Sequence, residues 1–332
     1  MRDLIDQLCS PACAGRAPGT PGGERARAVV MEAFRAAGLD PCEQRVDACG
    51  GANVLARIPG DVDRHIVVAA HFDHLGTIGG DIYHGADDNA AAVAVLVEVA
   101  RAIAAERTGR GVIVASFDGE EPPAFLAGST EFVRRNRDPI DFMICMDLVG
   151  HRLGPAGLPD EVGASLFALG AERSAGTCDL VASLKRAEPG VVVRPVDADI
   201  IPPLSDYGPF WDEQVPFLFL SAGRSRVYHT PDDTPDKLDY PKLAATARWL
   251  TRFVRAARIR DDTRFLDGRL DRGTLDEVGE ILGALAPLAP DASAALRHIR
   301  ALRSACDRDG HLPDAQREQL ASLVELLEDR LQ

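Results

Sequence analysis

Residues 66–90, IVVAAHFDHLGTIGGDIYHGADDNA, decide how the rest of the chain is read. The stretch opens on an unbroken apolar run, Ile66 to Ala70, the length of a buried strand rather than of a helix. The run stops at His71-Phe72-Asp73-His74. A Gly-rich loop then leads to Gly85-Ala86-Asp87-Asp88-Asn89, and an Ala/Val-rich helix is expected from there to Glu106. Strand, polar crown and helix in succession is how an open α/β sheet builds a site at the carboxyl ends of its strands. Imidazoles and carboxylates crowded beside an apolar strand cost free energy unless a cation neutralises the acids.

Outward from this stretch the pattern recurs. Gly111 to Phe117 is a second apolar run, ending in Asp118-Gly119-Glu120-Glu121. Phe142 to Met146 ends in Asp147, and Val215 to Leu220 precedes Tyr228-His229-Thr230-Pro231-Asp232-Asp233. One strand ending in acid means little, but this series points to a single shared site. The remaining pieces fit an α/β chain. Met1 to Leu8 begins a helix, and Glu24 to Ala37 is a helix stopped by Gly38. Asn53 to Ile58 is a strand closed by Pro59-Gly60, and a helix over Asp239 to Ile259 closes the core.

The pattern weakens between Gly150 and Pro203. That segment, 151–203, is expected to be an excursion containing a helix (Glu161 to Ala175) and a strand (Val191 to Val196), either the lid of a cleft or a surface embellishment. The domain plan is therefore a catalytic unit over 1–259 and a helical extension over 260–332. In the extension, Thr274 and Glu277 read as a capping box ahead of Leu275, Val278, Ile281 and Leu285. Leu296, Ile299 and Leu302 form a second stripe, and Leu320, Leu323, Val324, Leu327 and Leu331 a third. Nothing in the extension carries chemistry; helix packing, or a homo-oligomer contact, is the expected role.

The chain has 332 residues, 46% of them apolar, and a net charge of -14. Such acidity argues against nucleic acid or an anionic membrane as partner and mainly serves solubility. No apolar run reaches the roughly 18–20 residues of a membrane span. The N-terminus has no h-region, so a cytoplasmic location is expected. The seven cysteines form no C-x-x-C pair, which suits a reduced protein.

Two divalent ions held side by side need a bridging carboxylate with imidazoles and carboxylates at the flanks. His71, Asp88, Glu121, Asp147 and His229 supply that set. Glu120, beside Glu121, is the spare carboxylate, a general base for water at the ions. Asp73, two residues past His71, is placed to accept the imidazole's second N–H. A lone histidine at a strand end is usually structural, and His65, His151, His298 and His311 are read so. His74 and His84 are read as neighbours of the site or pocket wall. Asp232 and Asp233 are expected to order the His229 loop.

In these pieces the chain resembles the co-catalytic zinc aminopeptidases of metallopeptidase family 28, of the aminopeptidase Y and bacterial leucyl aminopeptidase type. The resemblance runs through His71-Phe72-Asp73, Gly85-Ala86-Asp87-Asp88-Asn89, Gly119-Glu120-Glu121, Asp147 in MDLVG, and Tyr228-His229-Thr230. GRAPGT near the N-terminus and Ser205-Asp206 before VPFLFL also match, so that roughly residues 1–257 are covered. It implies a three-layer αβα fold with a mostly parallel mixed sheet, as in zinc exopeptidases, and two zinc ions bridged by Asp88. His71 and Asp147 would complete one zinc site, and Glu121 and His229 the other. Glu120 would be the base and then the proton donor to the leaving amine, Tyr228 the phenol that stabilises the oxyanion. A cis peptide bond after Asp88 is implied as well.

Two departures from the family pattern bear on specificity, and both are expected at the substrate pocket: Pro122-Pro123-Ala124-Phe125 lengthens the loop after Glu121, and Tyr207 stands where many relatives have histidine. The expected substrate is a peptide or small amide. A glutaminyl-cyclase-like acyltransferase, a carboxypeptidase or specialised small-amide hydrolase, and a metal-stabilised scaffold protein are the rivals.

Overall fold

The computed structural model describes residues 1–332. In chain order the elements are α1 (Arg2–Leu8), α2 (Pro21–Ala36), β1 (Cys42–Val46), β2 (Gly51–Ile58), β3 (Val62–His71) and the small hairpin β4 (Thr77–Ile78) and β5 (Asp81–Ile82). Then come α3 (Ala91–Ile103), β6 (Arg110–Phe117), α4 (Ala127–Arg135), β7 (Ile140–Met146), α5 (Asp160–Gly163), β8 (Ser165–Leu169) and α6 (Thr177–Leu184). The chain continues through β9 (Val192–Val196), α7 (Gly208–Asp212), β10 (Phe217–Ser221), α8 (Tyr240–Arg258), α9 (Asp271–Leu285), α10 (Pro290–Ala305) and α11 (Asp314–Leu331).

Eight strands form one sheet in the order β1-β2-β6-β3-β7-β10-β8-β9. The centre, β6-β3-β7-β10, is parallel, while β1, β2 and the β10–β8 pair bring in antiparallel contacts. Successive side chains on a strand alternate between faces. Ile66, Val68, Ala70, Val112, Val114, Ile144 and Leu218 therefore pack on one face against α2, α3 and α8. Val67, Ala69, Ile113, Ala115, Met143, Phe217 and Phe219 pack on the other against Phe132 of α4 and Phe210 of α7. Covering a parallel sheet on both faces requires such unbroken apolar strands. This is the three-layer α/β architecture expected, with C-terminal helices added.

Three readings need correction. The segment expected as a helix over Glu161 to Ala175 is a single short turn, α5, followed by strand β8. Its Val162, Leu166 and Leu169 mimic helical spacing, but β9 on one side and β10 on the other offer ladder partners, and pairing wins over local pattern. Residues 151–203 thus supply the last two strands of the sheet. The Thr274–Glu277 capping box is also absent, because α9 begins three residues earlier at Asp271. Thr274 instead bonds the Leu270 carbonyl and accepts from the Asp197 N–H, and Glu277 pairs with Lys185 and Arg194. Tyr207 does not face a pocket: it is fully buried, stacked on Phe217 and Phe219, with its hydroxyl on the Pro202 carbonyl.

Helices α9, α10 and α11 bury Leu275, Ile281, Leu282, Ile299, Leu302 and Leu320 in one cluster with Leu153 and Val162 of the preceding chain. No helix is long and apolar enough to cross a membrane. All seven cysteines are free.

Candidate metal centre

The carboxyl ends of β3, β6, β7 and β10 open onto one place, and each delivers side chains there. His71 is the last residue of β3. Glu120 and Glu121 follow β6, Asp147 follows β7, and the loop after β10 carries Tyr228 and His229. Asp88 enters from the turn that starts α3. The Asp88–Asn89 peptide bond is cis, as the resemblance implies. Asn89 ties this turn to β7 by donating to the Met146 carbonyl at 2.9 Å, one residue before Asp147.

Asp88 stands in the middle. Its Oδ1 is 3.5 Å from Nε2 of His71, which is also 3.5 Å from Oδ1 of Asp147. Its Oδ2 is 3.1 Å from Nε2 of His229, which lies 3.2 Å from Oε2 of Glu121. Glu120 Oε2 is 3.8 Å from Nε2 of His71. His71, Asp88 and Asp147 form one group able to hold an ion, and Asp88 and Glu121 with His74 form another. His74 Nδ1, however, bonds Glu121 Oε1 at 2.8 Å, so it orients that carboxylate directly. The His229 ring nitrogen faces Asp88 and Glu121 with no bond of its own.

The unsatisfied atoms test whether metal fits. Nε2 of His71, Nε2 of His229 and Oδ1 of Asp147 are buried without a hydrogen-bond partner. Nδ1 of His71 lies 3.3 Å from the Asp73 carbonyl, which can only accept, so the proton belongs on Nδ1. The Nε2 lone pair then faces carboxylates, an arrangement that only a cation stabilises. Two donors each about 2.0–2.1 Å from a shared zinc at tetrahedral angles sit about 3.3 Å apart, close to the separations seen. The donor set fits zinc.

Titration behaviour says the same. Burial works against charge on His71, yet Glu120 and Asp147 raise its pKa well above the usual imidazole range. Burial likewise opposes charge on His229, but the facing carboxylates of Asp88 and Glu121, 3.1 and 3.2 Å away, raise it to about 10. Burial pushes Glu120 well above an ordinary carboxylate, against the pull of His71 and reinforced by Asp147, Asp206 and Glu121. Burial lowers His74 to about 3, leaving it neutral. Glu120 is shifted toward its protonated form, and His71 and His229 toward theirs, because these groups face more acid than fixed positive charge.

Asp73 lies closer to the glutamates than its expected role required. Its Oδ1 accepts from the Glu120 N–H and its Oδ2 from the Glu121 N–H, both at 3.2 Å, while Oδ1 is 3.7 Å from His71 Nδ1. Tyr228 stacks on His229 with ring centroids 3.9 Å apart. Asp233 holds the Asp87 and Asp88 N–H groups at 2.9 and 3.1 Å, so it orders the Asp88 turn. Asp87 in turn accepts from Gly150 and contacts His151 at 2.6 Å. Asp206 is buried below with neither oxygen bonded. His84 reaches the Cys9 carbonyl, away from the crown. The tethering roles of Asn89, Asp233 and His151 escaped sequence reasoning, because contacts between segments far apart in the chain leave no spacing signal.

Comparison with known proteins agrees with the geometry. The chain is 27% identical over 249 residues to the Escherichia coli protein YfbL, covering 66% of this chain and 76% of that one. It is 26% identical to a glutaminyl-peptide cyclotransferase of Boiga irregularis, over 61% of this chain and 64% of the relative's length. The fold resembles the LapA aminopeptidase of Legionella pneumophila with a TM-score of 0.66, at 18% identity over 78% of this chain and 72% of that one. Residues 53–254 match Peptidase family M28, and the chain belongs to that family.

Proposed function

We propose that this chain is a di-zinc aminopeptidase that hydrolyses the N-terminal bond of a peptide or small amide. The observation carrying the reading is Asp88, whose two oxygens face two separate imidazole–carboxylate groups. His71 and Asp147 would hold one ion, Glu121 and His229 the other, and Asp88 both. Zinc there would polarise the scissile carbonyl and acidify a water molecule. Glu120 takes the proton from the attacking water and returns it to the departing amine; a carboxylate with a raised pKa suits both duties. Asp73 keeps Glu120 and Glu121 in register through their N–H groups. Tyr228 donates its phenol proton toward the developing oxyanion. Burial and the neighbouring acids Asp88 and Asp147 raise its pKa, so it stays protonated.

The likeness to a glutaminyl-peptide cyclotransferase supports a second reading, acyl transfer within an N-terminal glutaminyl peptide. Zinc quantification on purified protein, followed by aminoacyl substrates and glutaminyl peptides with and without chelator, separates the two. Two zinc ions per chain and chelator-sensitive release of amino acid are expected. One zinc with cyclisation favours the second reading; no zinc and no turnover sinks both.

A further inference from the structure

Arg16 lies beneath the crown, fully buried, and makes no ion pair within the chain. Its guanidinium is occupied by carbonyls. Nε donates to Phe72 O at 2.7 Å, Nη1 to Leu8 O at 3.1 Å and His84 O at 2.5 Å, and Nη2 to Gly85 O at 2.8 Å and Asp88 O at 3.4 Å. Phe72 sits at one end of the loop between β3 and α3, and His84, Gly85 and Asp88 at the other. That loop starts from His71, the last residue of β3, and delivers Asp73, His74 and Asp88.

The turn that brings Arg16 there is itself constrained. Ala14, Gly15 and Arg16 all have positive φ, at 46°, 72° and 58°. A Cβ on Gly15 would fall 2.2 Å from the Gly76 carbonyl, and one on Gly85 would fall 2.6 Å from Nη2 of Arg16. Non-glycine residues held in the left-handed region cost free energy, which persists where the surroundings fix them for a purpose. A buried cation with no acid partner is costly too, unless dipoles solvate it. Here four of its carbonyl partners belong to the metal-bearing loop.

We propose that Arg16 is a positioning residue of the metal centre. Its planar fork fixes the two ends of the β3–α3 loop against each other, so that His71 and Asp88 face one another across the gap. Its permanent charge, one layer below, offsets part of the crown's acidity. Lysine cannot substitute, because a point charge does not span carbonyls set at several angles. The inference rests on the zinc reading above.

The test compares wild type with Arg16→Lys and Arg16→Met. Metal is stripped with chelator, and zinc affinity is measured by competition with a chromophoric chelator. Folding is followed by circular dichroism and thermal melting, zinc-free and zinc-saturated. Both variants are expected to fold in zinc, and the methionine variant to bind at least one ion more than tenfold more weakly. The lysine variant should recover less than half of that loss on a logarithmic scale. The rise in melting temperature on adding zinc should shrink in parallel. Folded variants with wild-type zinc affinity overturn the proposal. So does failure of both to fold in saturating zinc, which would make Arg16 a residue of the fold rather than of the centre. Wild-type protein that takes up no zinc overturns the metallopeptidase reading first, and this inference with it.

Discussion

Two clusters of buried acids lie in this chain, and they are solved in opposite ways. Where the extension meets the sheet edge, Asp197 and Asp271 are 3% and 1% exposed. Arg317 Nη2 reaches Asp197 at 2.7 Å and Asp199 at 2.9 Å, and its Nε reaches Asp271 at 3.0 Å. Arg269 takes the other oxygen of Asp271 at 2.6 Å, beside the Leu312 N–H, and the Leu270 N–H takes the second oxygen of Asp197. Every oxygen of those two carboxylates is bonded from within the chain. The crown at β3, β6, β7 and β10 holds at least as many acids, yet its imidazole nitrogens and Asp147 are left open. Acids closed by arginine are structure; acids left open beside unpartnered imidazoles are a donor set that fits a cation.

The difference predicts opposite responses to removing one acid. In the crown, Glu120→Gln keeps the shape and every metal-facing group but cannot shuttle a proton. Turnover should fall about a thousandfold, or about 4 kcal/mol of barrier, with zinc content and melting temperature unchanged. Kinetics beside metal analysis checks it; a glutamine variant turning over at the wild-type rate would take Glu120 out of the chemistry.

Asp271→Ala should do the reverse. It takes from Arg269 its carboxylate partner and from Arg317 one of three, and both guanidiniums, each 28% exposed, can partly recover water. Loss of a fully buried partner costs about 3–5 kcal/mol, so about 2–3 is expected here, read by denaturant unfolding. At temperatures where the variant is folded, kcat/KM should match wild type. Impaired kinetics in the folded variant would show that the two clusters are not independent.

Legibility followed the same division. Apolar strands ending in acid or histidine are local text, so β3, β6, β7 and β10 and the crown they carry could be read directly. What failed was settled by distant partners. The 161–175 stretch became β8 because β9 and β10 were there to pair with it, and the polar edge strand β1 has a burial pattern too open to announce itself. Thr274 and Glu277 have capping-box spacing but spend their side chains on Asp197, Lys185 and Arg194. Arg16 stood in plain view in GRAPGT, yet five carbonyls scattered from Leu8 to Asp88 have no period to detect.

The smallest expected effect asks whether the extension reaches the crown at all. One contact can carry it. Glu328 of α11 accepts from the Arg224 N–H at 2.9 Å and from its guanidinium at 3.2 and 2.9 Å, and Arg224 lies on the loop that ends in Tyr228 and His229. The pair is bidentate but only partly shielded, with side chains 44% and 24% exposed, so about 0.5–1 kcal/mol is appropriate. Glu328→Ala should weaken zinc binding about two- to fivefold, because the His229 end of the centre loses its outer tether. Arg224→Ala should do the same, and the double variant should be no worse than either single one, since both remove the same bond. High salt, which shortens screening to about 3 Å at 1 M, should narrow the gap between wild type and variants. Additive losses, or zinc affinity indifferent to all three changes, would mean that α11 docks on this loop without steadying it, leaving the extension to cover the sheet edge alone.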